Sequence, residues 1–137
     1  MRTLGGWGWI AGLLAVSSVH ATSAWQLVAD EGEAAVFVQP ESVRPLGERV
    51  RVEVLVQHKQ SRPAPQGGYT VEKLLSLYNC STQEYLDLRA ARYANRDSTE
   101  VLQLAEKLDT PDQYRAAKPG SLHGRVLSHV CGATAAR

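Results

Sequence analysis

The chain is poor in cysteine, with two in 137 residues, and poorer still in phenylalanine and methionine, with one of each. Cys80 and Cys131 are too few and too far apart for a Cys-x-x-Cys redox motif or a multi-thiolate zinc site. Excess charge of one sign is also missing. Setting Arg2 aside, 14 basic residues face 14 acidic ones, which excludes the strong basic excess of a dedicated nucleic-acid binder. Beyond residue 24 no apolar run approaches the roughly 20 residues of a membrane-spanning helix. Carboxylates are scattered singly. Ser121 and Ser128 flank His123 and His129, but no orienting acid or cleft accompanies them in the sequence, so no catalytic residue is expected. His123 and His129 lie six apart, on different faces of a helix, and His129 two positions before Cys131 is a poor zinc spacing. No metal and no cofactor is expected.

What is present begins with a leader. Met1 and Arg2 make a short positive start, Trp7 to Val19 is apolar and loosened by Gly8 and Gly12, and small residues follow. This is the layout of a secretory signal peptide. Cleavage is expected after Ala21, with Ala24 as the second choice, so residues 1–21 are the signal and residues 22–137 one domain. A domain of that size builds a core, but not a generous one. The leader has no cysteine to accept a lipid, so the mature chain is expected to carry no lipid anchor.

Export changes the meaning of the two cysteines. In an oxidising compartment such a pair forms one structural disulfide, and within one chain its connectivity is forced. Closing about 50 residues is worth roughly 4 kcal/mol in the chain-entropy account. Asn79-Cys80-Ser81 matches a glycosylation acceptor, but a bond at Cys80 would hinder modification, and the match is read as chance.

Trp25 to Ala29 and Ala35 to Gln39 are short apolar runs around the turn Asp30-Glu31-Gly32-Glu33, and Pro40 stops the second; the pattern predicts a β-hairpin. Val50, Val52, Val54 and Val56 alternate with Arg51, Glu53 and Leu55, which predicts a strand with one apolar face. Residues 61–68, with two prolines and two glycines, predict a surface loop. Residues 70–79, 83–94 and 100–108 are ambiguous. Val71, Leu74, Leu75 and Tyr78, and likewise Val101, Leu104, Ala105 and Leu108, have helical spacing, and pattern alone leans towards helix. Tyr85, Asp87, Arg89, Ala91 and Tyr93 alternate as a strand would. At the end, Ser121 is placed to cap a helix and Gly132 to end it. Gly124 in its interior suggests close packing on a sheet.

An ordered set of residues resembles the surface-adhesin protein E family of Gram-negative bacteria. It comprises Trp25 with Val28, the Pro40-Glu41-Ser42-Val43 turn, the strand from Arg49, Lys73, Tyr78-Asn79-Cys80 leading to Tyr85 and Arg89, and Pro119-Gly120-Ser121 before a helix ending in Cys131. It spans nearly the whole mature chain. The resemblance implies an α+β fold: a curved antiparallel sheet of about six strands, with the C-terminal helix packed on one face through the disulfide. All three ambiguous segments then become strands, since sheet pairing overrides local propensity. In function it implies attachment, that is, binding of host extracellular-matrix or serum proteins, with a haem-like ligand also within the family's range. Two departures stand out: the named adhesin is a lipoprotein, and Asn79 stands where an acidic residue usually precedes the cysteine.

Arg89, Arg92 and Arg96 recur within eight positions and form the candidate partner-binding patch, to which Arg49 and Arg51 add if their strands are neighbours. Asp87, Asp97 and Glu100 would partly neutralise it, so a merely solvated face stays open. Tyr69, Tyr78, Tyr85 and Tyr93 either line a groove or border the core. The expected protein is a non-enzymatic, exported binding protein, in the periplasm or on the outer surface, whose partner is a host matrix protein or an envelope component. A periplasmic accessory protein and a carrier of a small apolar ligand are the alternatives.

Overall fold

Four valines at alternate positions set the middle of the fold. The computed structural model describes residues 24–135 together with Gly5 and Gly12, so most of the expected leader and the cleavage site after Ala21 lie outside the described residues. Strands β1 (Gln26–Glu31) and β2 (Ala34–Val38) form the expected hairpin. Its two-residue turn needs the left-handed backbone that Gly32 supplies at φ 68°. After a single 3₁₀ turn at Pro40–Ser42, the short strand β3 (Arg44–Leu46) folds back on β4 (Arg49–Arg62). Val50, Val52, Val54 and Val56 of β4 are all buried on one face, as their alternation requires. The strand continues through Ser61 and Arg62, further than the sequence suggests, and the proline- and glycine-rich loop follows it.

The ambiguous segments are strands: β5 (Tyr69–Asn79), β6 (Glu84–Tyr93) and β7 (Gln103–Glu106). The helical lean of the local pattern is thereby overturned, and the fold implied by the resemblance holds. The reason is position. The antiparallel sheet runs β1-β2-β4-β5-β6-β7, with β3 on β4 and the two-residue β8 (Arg115–Ala116) on β6. In that order β5 is central, buried on one face through Leu74, Ser76 and Tyr78 and on the other through Val71 and Leu77. A strand buried on both faces loses its alternation and reads as a run.

A register shift between β5 and β6 sets the faces of β6. Leu75 pairs with Arg89 but Ser76 with Asp87, so Leu88 is an extra residue and a β-bulge reverses the phase. Tyr85 and Asp87 therefore share a face with Ala90 and Arg92, while Arg89, Ala91 and Tyr93 point the other way.

Helix α1 (Leu122–Ala135) covers the first of these faces. Val126, Leu127 and Val130 are buried in one cluster with the β2 and β4 valines, Leu74 and Tyr78. Cys80, in the turn after β5, is bonded to Cys131 of α1. Asn79 Oδ1 accepts hydrogen bonds from the Ser81 and Thr82 amides, a role an aspartate could equally fill, and so presents Cys80 to the helix. Ser121 caps α1, its Oγ accepting from the Gly124 amide at 3.1 Å. Two sequence expectations are corrected here. The helix runs through Gly132 rather than ending there, because Gly132 does not take the left-handed backbone of a glycine cap. Gly124 makes room for the Lys118 carbonyl, not for the sheet.

Candidate functional site

The face of the sheet opposite α1 has no helix on it, and the alternation of the strands decides what it displays. One row of cross-strand partners runs from Glu53 on β4 through Leu75 on β5 and Arg89 on β6 to Glu106 on β7. Gln39 follows β2, donates its amide to Glu53 O, and extends the row towards Trp25, just ahead of β1. The adjacent row is Leu27, Phe37, Leu55, Lys73, Ala91 and Leu104. Leu27 and Leu104, at its two ends, are exposed.

Two segments approach this face. After β6 the chain carries Arg96 back as far as Phe37 on β2, its guanidinium 5.1 Å from the ring centroid. Leu55 and Val71 are buried on this face although it has no helix. At the other end, Asp109 and Tyr114 close over Arg49. Arg49 Nη1 lies 2.5 Å from Asp109 Oδ2 and donates to Tyr114 Oη at 2.8 Å, while Tyr114 Oη donates to Asp109 Oδ1 at 2.8 Å. The hydrogen bond from Arg49 holds the Asp109 carboxyl below its ordinary range, and burial raises the Tyr114 phenol. This triad is satisfied internally and offers no free charge. The face carries a groove of about 420 Å³. Trp25, Gln39 and Glu53 line it from the β1, β2 and β4 side, Lys73 and Leu75 from β5, and Arg89 and Tyr93 from β6.

The three arginines singled out from sequence do not form one patch. Arg89 and Arg96 belong to the open face, whereas Arg92 points to the helix side. There its Nε donates to Glu72 Oε1 at 3.0 Å, its Nη1 to Gln103 Oε1 at 2.6 Å, and its guanidinium lies 4.6 Å from the Tyr69 ring centroid. The physical reason is simple: residues three apart share a helix face but oppose each other on a strand. Arg89, by contrast, makes no ion pair or hydrogen bond with the described residues, although Glu53 and Glu106 lie in its row. Lys73, which sequence reasoning left out of the patch, is exposed, and its ammonium sits 4.9 Å from the Tyr93 ring centroid. Strand pairing, which local spacing does not reveal, brings it beside the Arg89 row.

On the helix side the structure assembles a polar network that the sequence did not reveal. His123 does have an orienting acid, which corrects the sequence reading. Its Nε2 is 3.2 Å from Asp87 Oδ2, its Nδ1 is 2.8 Å from Tyr78 Oη, and Ser76 Oγ donates to Asp87 Oδ1 at 2.6 Å. Both ring nitrogens of a neutral imidazole are satisfied when Nε2–H donates to Asp87 and Nδ1 accepts from Tyr78. Tyr85 stacks on the same ring at 3.6 Å between centroids. The order hydroxyl, imidazole, carboxylate resembles a catalytic relay, but the hydroxyl belongs to Tyr78, which has no exposed surface and whose phenol burial pushes well above its ordinary value. No substrate reaches it, and the network instead locks α1 to β5 and β6. No group of three metal-ligating side chains occurs among the described residues.

His58, on the same side, is held differently. Burial pushes its imidazole below the ordinary value, Arg62 and Arg92 act in the same direction, and Glu72 opposes them. Its Nε2 has no hydrogen-bond partner among the described residues and lies 3.7 Å from Glu72 Oε2. The unfolded chain takes up this proton more readily than the folded one. His58 therefore contributes full stability above the ordinary histidine pKa of about 6.5, and this is lost as pH falls from there through the lowered folded value. Thermal melts between about pH 8 and about pH 5 are expected to show an acid-side loss that His58→Gln reduces. Superimposable profiles for the two proteins would clear His58 of that role.

An antiparallel sheet with one face sealed by a disulfide-tied helix, and the other left with a charged, aromatic-lined groove, defines a binding module. The chain belongs to the surface-adhesin protein E family, which matches residues 25–132. No curated protein and no solved structure matches it. Membership makes it an adhesin-like surface protein, and no helix among the described residues is long and apolar enough to cross a membrane.

Proposed function

We propose that the chain is an exported adhesin-like protein of the Gram-negative envelope that engages a host extracellular-matrix or serum protein through the open face of its sheet. The observation that carries this reading is Arg89. It is an exposed guanidinium at a groove edge whose side chain makes no ion pair or hydrogen bond with the described residues, whereas Arg49 and Arg92 are both paired. An unpaired cation beside aromatic surface is suited to an acidic partner. Of the three candidate arginines, Arg89 and Arg96 contribute to binding, and Arg92 holds β5, β6 and β7 in register.

The test is binding to immobilised matrix and serum proteins. Arg89→Gln is expected to weaken binding and its dependence on low salt, with the melting temperature nearly unchanged. Arg92→Gln is expected to do the reverse, lowering the melting temperature by a few degrees, since it leaves Glu72 half-paired. Equal binding losses for the two variants would discard the open face as the site. Protease shaving of intact cells, with osmotically opened cells and a periplasmic marker as controls, tests the surface location. Cleavage only after opening would replace this reading with that of a periplasmic accessory protein.

A further inference from the structure

The groove on the open face has a composition more specific than a basic patch, and we infer that it takes an acidic sugar unit, one or two rings bearing a carboxylate or a sulfate. The inference rests on the open face being the binding face and names the chemistry it recognises.

Four features of the groove converge on that ligand. Its volume of about 420 Å³ lies at the small end of ligand sites, room for a short saccharide rather than a folded protein element. Its floor is apolar, made by Leu75 and the buried Ala91. Its two sides carry the half-buried rings of Trp25 and Tyr93, and flat aromatic faces pack against the C–H surface of a sugar ring while leaving its hydroxyls free. Its cations come from neighbouring strands. Lys73 faces Ala91 across the strands and Arg89 lies two residues earlier on β6, which makes them diagonal cross-strand neighbours about 7 Å apart at the backbone. A guanidinium binds a carboxylate or sulfate through two parallel hydrogen bonds, and the ammonium adds a point charge beside it.

The acceptors decide against a poly-acidic peptide. Across Leu75 from Arg89 stands Glu53, with Gln39 beyond it, and the Glu53 carboxylate would repel a second row of peptide carboxylates. Sugar hydroxyls are the donors that the Glu53 carboxylate and the Gln39 side-chain amide oxygen can accept from. Anion on one side, hydroxyls on the other and a ring between them describe a uronic-acid or sulfated sugar.

The experiment titrates the full chain with a heparin-derived tetrasaccharide, a neutral maltotetraose and hexaglutamate, following amide and indole shifts by nuclear magnetic resonance and heats by calorimetry. The tetrasaccharide is expected to bind, to move the Trp25 indole and the Leu75 and Ala91 amides, and to lose on the order of tenfold in affinity with either Arg89→Gln or Lys73→Gln, but not with Arg92→Gln. No binding, hexaglutamate binding as well as the tetrasaccharide, or full affinity in both groove variants overturns the inference. Enzymatic removal of glycans from the immobilised matrix protein separates the two readings. If that protein still binds through Arg89 while the tetrasaccharide does not, the sugar inference falls and the adhesin reading stands. If neither binds, both fall.

Discussion

Replacing Cys80 or Cys131 with serine is expected to lower the melting temperature by roughly 10–20 °C without abolishing the fold. The bond links residues 51 apart, and opening a loop of that length releases about 4 kcal/mol of chain entropy in the unfolded state. For a domain with a total stability of about 5–15 kcal/mol, that is a large share. The fold persists because α1 keeps its other anchors. Val126 and Val130 remain buried against the sheet valines, and the contacts of His123 with Tyr78 and Asp87 do not depend on the bond. Each single serine variant should therefore melt cooperatively, only earlier, and the reduced wild-type chain should melt with them. Thermal scans with and without reductant, with the native bond confirmed by mass spectrometry, make the comparison. A melting temperature unmoved by either change would mean that packing alone holds the helix.

How much of this was legible in the sequence depends on how many faces of an element are buried. β4 was plain because Val50, Val52, Val54 and Val56 mark one core face while Arg51 and Glu53 mark the other as wet. β5 was not, because Val71 and Leu77 are buried on one face while Leu74 and Tyr78 are buried under α1, and a two-sided run carries no period. β6 hid its faces through the bulge at Leu88, which put Asp87 and Arg89 on opposite sides although they are two apart. The family resemblance supplied these strands where the residue pattern did not. The disulfide was legible because two cysteines leave one pairing, and the Ser121 cap because capping is local.

The candidate site was less legible for the same reason. Arg89, Arg92 and Arg96 look like one cluster only while the segment is free to be a helix. Once it is a strand, Arg92 belongs with Glu72 and Gln103, and the cation that joins Arg89 is Lys73, 16 positions earlier in the chain. Partners that meet through strand pairing leave no signal in local spacing. The His123 network was invisible for that reason too, since its acid lies on β6 and its phenol on β5.

Gly124→Ala and Gly132→Ala, in one helix, are expected to act in opposite directions. Alanine is favoured over glycine in a helix interior by about 1 kcal/mol, and on propensity alone both changes would stabilise. At Gly132 nothing stands within 4 Å of the added carbon, so a small rise in melting temperature is expected, damped by the nearby helix end. At Gly124 the added carbon would sit 2.0 Å from the Lys118 carbonyl oxygen and 2.7 Å from its carbon. That carbonyl cannot swing aside cheaply, because it accepts from both the Ser121 amide, at 3.0 Å, and the Ser121 hydroxyl, at 2.5 Å. Moving it disturbs the residue that caps the helix, and moving the helix instead disturbs the buried contacts of Val126 and Leu127. Overpacking of this kind costs about 1–3 kcal/mol, which outweighs the propensity gain, so Gly124→Ala should melt several degrees below wild type. Ser121→Ala, which removes the cap but adds no clash, calibrates how much of that loss is the cap itself, expected at about 1 kcal/mol. A Gly124→Ala chain as stable as Gly132→Ala would show that residues 118–121 yield freely and that the close approach of that turn to α1 holds nothing in place.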